Sequence, residues 1–295
     1  MNTDIIAATH LGKKSVGSDS YDPSLLVAVP RLENRKLYSI NPENLPFEGY
    51  DIWHAYEFSS MTENGIPYTR LMKIRYNCES EFIIESKSLK LYLNSFNMSR
   101  YGQTIENGLK LCKEIIEKDL SEKLNTPVSV SFLDNNCEKI SIFTKYKNIM
   151  DFVDERTLQV EKFKEAPELI EVEETPQINE YYLTFDSLRS NCRVTHQPDF
   201  GDAFIYYKSQ KHIREDSLVK YLSSFRSEFH FHEECCEMIY KRLFDILNAD
   251  DELAVCALYT RRGGIDICPV RYSKLSSDIE ILINIDLYAR NGIKQ

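Results

Sequence analysis

Long apolar runs are missing from this 295-residue chain; no stretch approaches the ~18 consecutive apolar residues that a membrane helix needs. A basic excess is missing too. With 36 Lys and Arg against 46 Asp and Glu the formal net charge is −10, so polyanions are repelled. Neither nucleic acid nor an anionic membrane surface is expected as a direct partner. The start, MNTDIIAATHLGKKS, has no basic stretch followed by an apolar core, and no secretory signal is read there. None of the eight cysteines forms a CxxC pair or a small disulfide framework. Neither GxGxxG nor GxxxxGK[ST] occurs, which leaves a Rossmann or P-loop nucleotide site unsupported. Together these absences point to the cytoplasm, where cysteines serve as small packing residues or as reactive thiols.

What is present is a globular composition, 42% hydrophobic and 28% charged, in a chain longer than one average domain. It carries an internal repeat. ESKSLKLYLNSF (85–96) and REDSLVKYLSSF (214–225) share Ser88/Ser217, Leu89/Leu218, Tyr92/Tyr221, Leu93/Leu222, Ser95/Ser224 and Phe96/Phe225. The flanks repeat as well. Strand-like runs precede the first copy at 52–59 and 68–76, where RLMKIRY alternates at period two, and the second at 181–195 and 203–207. Helical spacing follows each copy, over 105–120 and over 236–247, and strands follow those at 127–133 and 253–260.

Each half therefore reads β-β-α-α-β-β, an α+β unit whose antiparallel sheet carries its helices on one face. Residues 1–145 are expected to form the first unit with an N-terminal arm packed onto it. Residues 146–180 form an acidic, solvated connector and 181–295 the second unit. The uncovered sheet face and edges need partners. Duplication supplies one, and symmetric association as a homo-oligomer, a homodimer, is expected to supply more.

Chemistry-bearing residues concentrate in the second half. Cys192 and Asp199 lie seven residues apart across SNCRVTHQPDFGD. A thiol is a strong neutral-pH nucleophile, Arg193 offers it positive charge, and Asp199 can move a proton if its pocket is desolvated. Phe229-His230-Phe231-His232-Glu233-Glu234-Cys235-Cys236 opens a helix, where Glu233 and Glu234 are placed to cap. The same stretch also offers metal ligands, or a carboxylate for the N–H edge of a guanine-like ring. Positive charge is local: Lys87 and Lys90 in ESKSLK, and Arg261-Arg262-Gly263-Gly264, where arginine beside glycine suits a phosphate.

As a set, ESKSLKLYLNSF, SNC…THQPDFGD, FHEE and YTRRGGIDICP resemble the NADPH-dependent 7-cyano-7-deazaguanine reductases, the nitrile reductases of queuosine biosynthesis, in their long two-module form. The resemblance runs from LGK…YDPSLLVAVPR to RRGG and implies tandem tunnelling-fold modules. It implies that Cys192 attacks the nitrile carbon to form a thioimide, that Asp199 gives a proton to the nitrile nitrogen, and that His232 belongs to the catalytic set. It assigns Ile83, Ile84, Glu85, His232 and Glu233 to the base, and Ser86, Lys87, Arg262 and Gly263 to NADPH. Two NADPH would then carry the nitrile through an imine to 7-aminomethyl-7-deazaguanine, with no metal. The chain departs from the family at Cys235-Cys236 and at Val16-Gly17-Ser18. The first copy of the repeat keeps the charged ESKSLK and the second keeps the nucleophile, so one complete site would need both halves. Two other readings stay open: a zinc-dependent hydrolase of a purine or pterin, with Cys192 or Cys235 and His232 as ligands, and a binding protein without turnover.

Overall fold

The computed structural model describes residues 20–134 and 136–290. The N-terminal stretch read for a signal, and Val16-Gly17-Ser18, lie outside the described residues. In chain order the elements are β1 (Ala28–Pro30), α1 (Leu32–Leu37), β2 (Glu48–Met61), β3 (Pro67–Asn77), β4 (Phe82–Ile84), α2 (Ser86–Asn94), α3 (Ile105–Leu124), β5 (Val128–Leu133), β6 (Lys139–Ser141), β7 (Lys147–Asn148), β8 (Val172–Asn191), β9 (Pro198–Ile213), α4 (Glu215–Ser223), α5 (His232–Ile246), β10 (Glu252–Tyr259), β11 (Ile265–Tyr272), α6 (Ser277–Ile283) and β12 (Tyr288–Arg290). The class is α+β. One eight-stranded sheet runs β5-β3-β2-β11-β10-β9-β8-β7, and the antiparallel β2–β11 pair fuses the two halves.

The repeated sequence becomes a repeated set of hydrogen bonds. Ser88 Oγ donates to Glu85 O and Ser217 Oγ to Arg214 O, both at 2.7 Å. Each hydroxyl also receives the backbone N–H of an incoming segment, Val27 and Glu171 respectively, both at 3.0 Å. Ser95 and Ser224 close the ends of α2 and α4 by donating to Tyr92 O and Tyr221 O at 2.6 Å. Tyr92–Phe96 and Tyr221–Phe225 meet edge-to-face at 5.4 and 5.5 Å. A serine that helps close a helix turn and ties down a second strand is satisfied on both sides when buried, which is why these positions match between the halves.

Period-two alternation sorts the sheet into two faces. Trp53, Ile265, Ile267, Val255 and Tyr259 face α2 to α5, in two apolar clusters built on the two halves. Ile52, Phe204, Cys256, Cys268 and Val270 face the other way. That second face differs from expectation. Ile142, Phe143, Ile279, Leu282 and Ile283 pack on it, so the chain covers part of it with its own α6 and the segment after β6.

Three further differences follow from non-local partners. The first half gives β-β-α-α-β to the main sheet, because β6 leaves it to pair in parallel with β12. The acidic connector is shorter than 146–180, because β8 starts at Val172 and pairs with β9 while Glu173 and Glu174 point outward. Charge on a solvated strand face hides the strand from a composition argument. The N-terminal arm packs on both halves. Tyr21 meets Phe96 at 5.3 Å, whereas Arg35 reaches Glu237 and Phe47 meets Tyr240 at 5.3 Å. Among the described residues no helix is long and apolar enough to cross a membrane.

Candidate active site

A cavity of about 400 Å³ opens between the halves, on the helical face of the sheet. Its floor is apolar: Trp53, Ile84, Ile265 and Ile267. Around it stand Glu85, Ser86, Lys87 and Lys90 from the first half. Cys192, Gln197, Asp199, His232, Glu233, Arg262 and Gly263 come from the second. Every residue to which the resemblance gives a catalytic, base or NADPH role lines this cavity except Ile83. The alternation of β4 turns Ile83 away, into a small cluster with Val29 and Phe231.

Cys192 sits in the β8–β9 turn, which is pinned at both ends. The Cys192 N–H donates to Gln197 O at 2.8 Å and the His196 N–H to Cys192 O at 2.9 Å. His196 takes the left-handed conformation (φ 57°) that closes the turn. The Thr195 N–H points at the Cys192 sulfur at 3.5 Å. Arg193 is not the thiol's charge partner, contrary to expectation. It pairs with Glu234 at 3.1 Å and lies over the Phe231 ring.

Two residues after His196 the chain enters β9, and the alternation that exposes Phe200 turns Asp199 inward. It is buried, as the expected desolvated pocket requires, and its neighbours are ionic. One carboxylate oxygen pairs with Arg262, and the other lies 3.4 Å from His232 Nε2. The His232 ring stacks on Tyr259 at 3.8 Å and 7°, which fixes its plane, and its Nδ1 is buried without a protein partner.

At the start of α5 the two glutamates divide their work. Glu234 caps the helix, accepting the Phe231 N–H at 2.9 Å. Glu233 does not cap; it lines the cavity, 1% exposed, with Oε1 unpartnered. Burial, reinforced by the charge of Asp51, pushes its carboxyl up to about 8. Glu85 caps α2, its oxygens accepting the Lys87 and Ser88 N–H groups at 2.9 and 2.7 Å. The base role that the resemblance implies for Glu85 therefore falls to the remaining lone pairs of a carboxylate already holding a helix.

Cys235 and Cys236 are fully buried beneath the site, and burial pushes the Cys235 thiol up to about 12. The ligand set considered for zinc does not converge. Among the described residues, the one group with ligand atoms all within 4.8 Å is His54, Asp266 and Cys268, on the opposite face of the sheet. His54 Nδ1 and Asp266 already bond at 2.7 Å, and Tyr56 donates to the same carboxylate at 2.6 Å.

The mouth of the cavity suits an anion. Lys87 and Lys90 have no carboxylate partner among the described residues, and Arg262 adds a third cation. Gly263, at φ 59°, has no side chain where Lys90 Nζ packs, 2.7 Å from the position of a Cβ. Unspent charge on a chain of net −10, placed against a floor of flat apolar walls, fits a phosphate-bearing cofactor with an aromatic ring. Sequence reasoning missed Trp53, which lies outside any motif and is brought in by the β2–β11 pairing, and Gln197, which stands inside THQPDFGD without a role assigned to it.

Residues 18–132 match the family described as "Nitrile reductase, 7-cyano-7-deazaguanine-reductase N-term", and residues 198–277 match "QueF-like protein". Cys192 falls between the two matches. A relative from Desulfotalea psychrophila is 41% identical over 273 residues, covering 92% of this chain and 95% of its own. One from Rickettsia felis is 39% identical over 274 residues, covering 92% and 95%. One from Colwellia psychrerythraea is 37% identical over 269 residues, covering 90% and 91%. Each of the three bears the name NADPH-dependent 7-cyano-7-deazaguanine reductase.

Proposed function

The chain belongs to the family of NADPH-dependent 7-cyano-7-deazaguanine reductases, and from that premise we propose that it reduces the nitrile of 7-cyano-7-deazaguanine to the aminomethyl group, by way of a thioimide on Cys192. The observation that carries this reading is the convergence of Cys192, Asp199, His232 and Glu233 on one cavity whose remaining wall comes from the other half of the repeat.

Lys87, Lys90, Arg262 and the backbone beside Gly263 would hold NADPH, and two molecules of it would supply one hydride each per nitrile. The chain does the rest. A nitrile carbon accepts hydride poorly, and addition of the Cys192 sulfur turns it into a C=N that accepts it more readily. The thiol proton passes to the nitrile nitrogen through Asp199, and His232, stacked on Tyr259, keeps the second Asp199 oxygen in place. Glu233 Oε1, buried and unpartnered, is the acceptor for the N–H edge of the base, and Trp53, Ile84, Ile265 and Ile267 cover its faces.

The product enters queuosine biosynthesis as a free base, so the acidic chain needs no direct contact with nucleic acid. The internal repeat and the matching bonds of α2 and α4 support tandem tunnelling-fold modules. The edge strand β5 leaves room for a homodimer. The absent apolar runs and the unpaired cysteines support a cytoplasmic address.

The test is cofactor oxidation. Nitrile-dependent loss of NADPH, two per nitrile, is expected in the wild type and is lost in Cys192→Ala and Cys192→Ser. Near-normal turnover in Cys192→Ala would end the covalent reading.

A further inference from the structure

The guanidinium of Arg262 has two clients. In the β10–β11 turn, Arg262 is pinned by its own backbone, which donates to Ile265 O at 2.8 Å. Its Nη1 pairs with Asp199 and its Nη2 donates to Gln197 Oε1 at 2.8 Å. The Arg262 side chain is 44% exposed and the Asp199 side chain 5%, so the fork reaches from the mouth of the cavity to a buried acid. At the mouth it stands beside Lys87 and Lys90, the cations placed to receive phosphate. Of these three, only Arg262 also holds a carboxylate.

We infer that Arg262 is a positioning residue that couples phosphate binding at the mouth to proton transfer at Asp199. A phosphate dianion competes for a guanidinium fork better than a single carboxylate does, since it offers more charge and matching geometry. Drawing the fork outward releases one Asp199 oxygen. The groups that face Asp199 are Arg262 from the turn, Cys192 from the β8–β9 turn, His232 and Cys235 from α5, and Tyr259 from β10. Loss of the Arg262 pairing takes a positive charge away from Asp199, and a carboxylate without its cationic partner accepts a proton more readily.

In the addition step the S–H bond of Cys192 and one C–N π bond break, while an S–C and an N–H bond form. Asp199 ferries the one proton, and no oxidant or reductant takes part. The cofactor's phosphate thus readies the acid for addition, which still proceeds without it but over a different pH range.

The inference rests on the reading of Cys192 and Asp199 given above, and the test separates the two. Intact protein is mixed with 7-cyano-7-deazaguanine and no NADPH. The mass adduct is followed from pH 5 to 9, with and without adenosine 2′,5′-bisphosphate, which carries the phosphates but no nicotinamide. The expected result is that the bisphosphate moves the pH midpoint of adduct formation upward by about one pH unit. Arg262→Gln should sit at the raised midpoint already and ignore the bisphosphate, while Arg262→Lys keeps a charge and part of the response. An adduct whose midpoint is the same in all conditions overturns the coupling and leaves the covalent reading standing. No adduct at any pH overturns both.

Discussion

Arg35 grips Glu237 with both arms of its guanidinium, Nε on Oε2 at 3.0 Å and Nη2 on Oε1 at 2.7 Å, across 202 residues of sequence. Arg271 adds its Nη2 to the same Oε1 at 2.9 Å and pairs with Asp51 at 2.9 Å, while Arg31 pairs with Asp51 as well. Arm, β2, α5 and β11 meet in this buried cluster directly behind the cavity. Such a network need not outdo an apolar core, but removing one member strands the others.

Glu237 is the member to remove. Burial alone would raise its carboxyl, yet Arg271, Arg35 and Arg31 hold it down at about 2. Glu237→Gln should cost roughly 3–5 kcal/mol in urea unfolding at pH 7. A depressed carboxyl stabilises fully above its unfolded value near ~4.3 and loses that contribution as pH falls toward 2. The gap between wild type and variant should therefore close on acidification. A loss under about 1 kcal/mol at pH 7 would mean the cluster does not hold the halves.

Glu233 works in the opposite direction. With its carboxyl pushed up to about 8 by burial and by Asp51, it carries a proton at neutral pH and must release it to accept the base's N–H edge. Base affinity in calorimetry should rise with pH up to about 8 and then level, with proton release at pH 7 read from two buffers of different ionisation heat. Glu233→Leu should weaken binding by about 2–5 kcal/mol and abolish that pH dependence. Equal affinity at pH 6 and pH 8 in the wild type would place the base away from Glu233.

Trp53 is the one tryptophan of the chain, 1% exposed on the floor of the cavity. Its fluorescence should change saturably when 7-cyano-7-deazaguanine is added, and Cys192→Ala should keep the change because binding precedes chemistry. An unchanged spectrum would move the base off the first-half wall.

The parts of this account that were legible in the sequence are the local ones. Ser88/Ser217 and Tyr92/Tyr221 announced the repeat because helix closure and ring packing are settled within a few residues. Cys192, Asp199, His232, Glu233 and Arg262 stood in recognisable motifs. What stayed hidden depends on distant partners. Nothing near Arg35 points to Glu237, and nothing near Arg193 tells that Glu234 takes its charge. The strand at Val172 was masked by Glu173 and Glu174, which are outward residues of a solvated β8. The cap that Glu85 gives α2 was hidden as well, because its bonds to the Lys87 and Ser88 N–H groups come only with the helix.

The central claim is a bond between the Cys192 sulfur and the nitrile carbon. Intact-mass measurement after mixing with 7-cyano-7-deazaguanine, without NADPH, tests it directly. Addition expels nothing, so the account predicts a gain equal to the whole substrate, mapped to the peptide carrying Cys192 and absent from Cys192→Ala and Cys192→Ser. A gain on another cysteine, or an unmodified Cys192 in protein that still consumes NADPH with the nitrile, would contradict it.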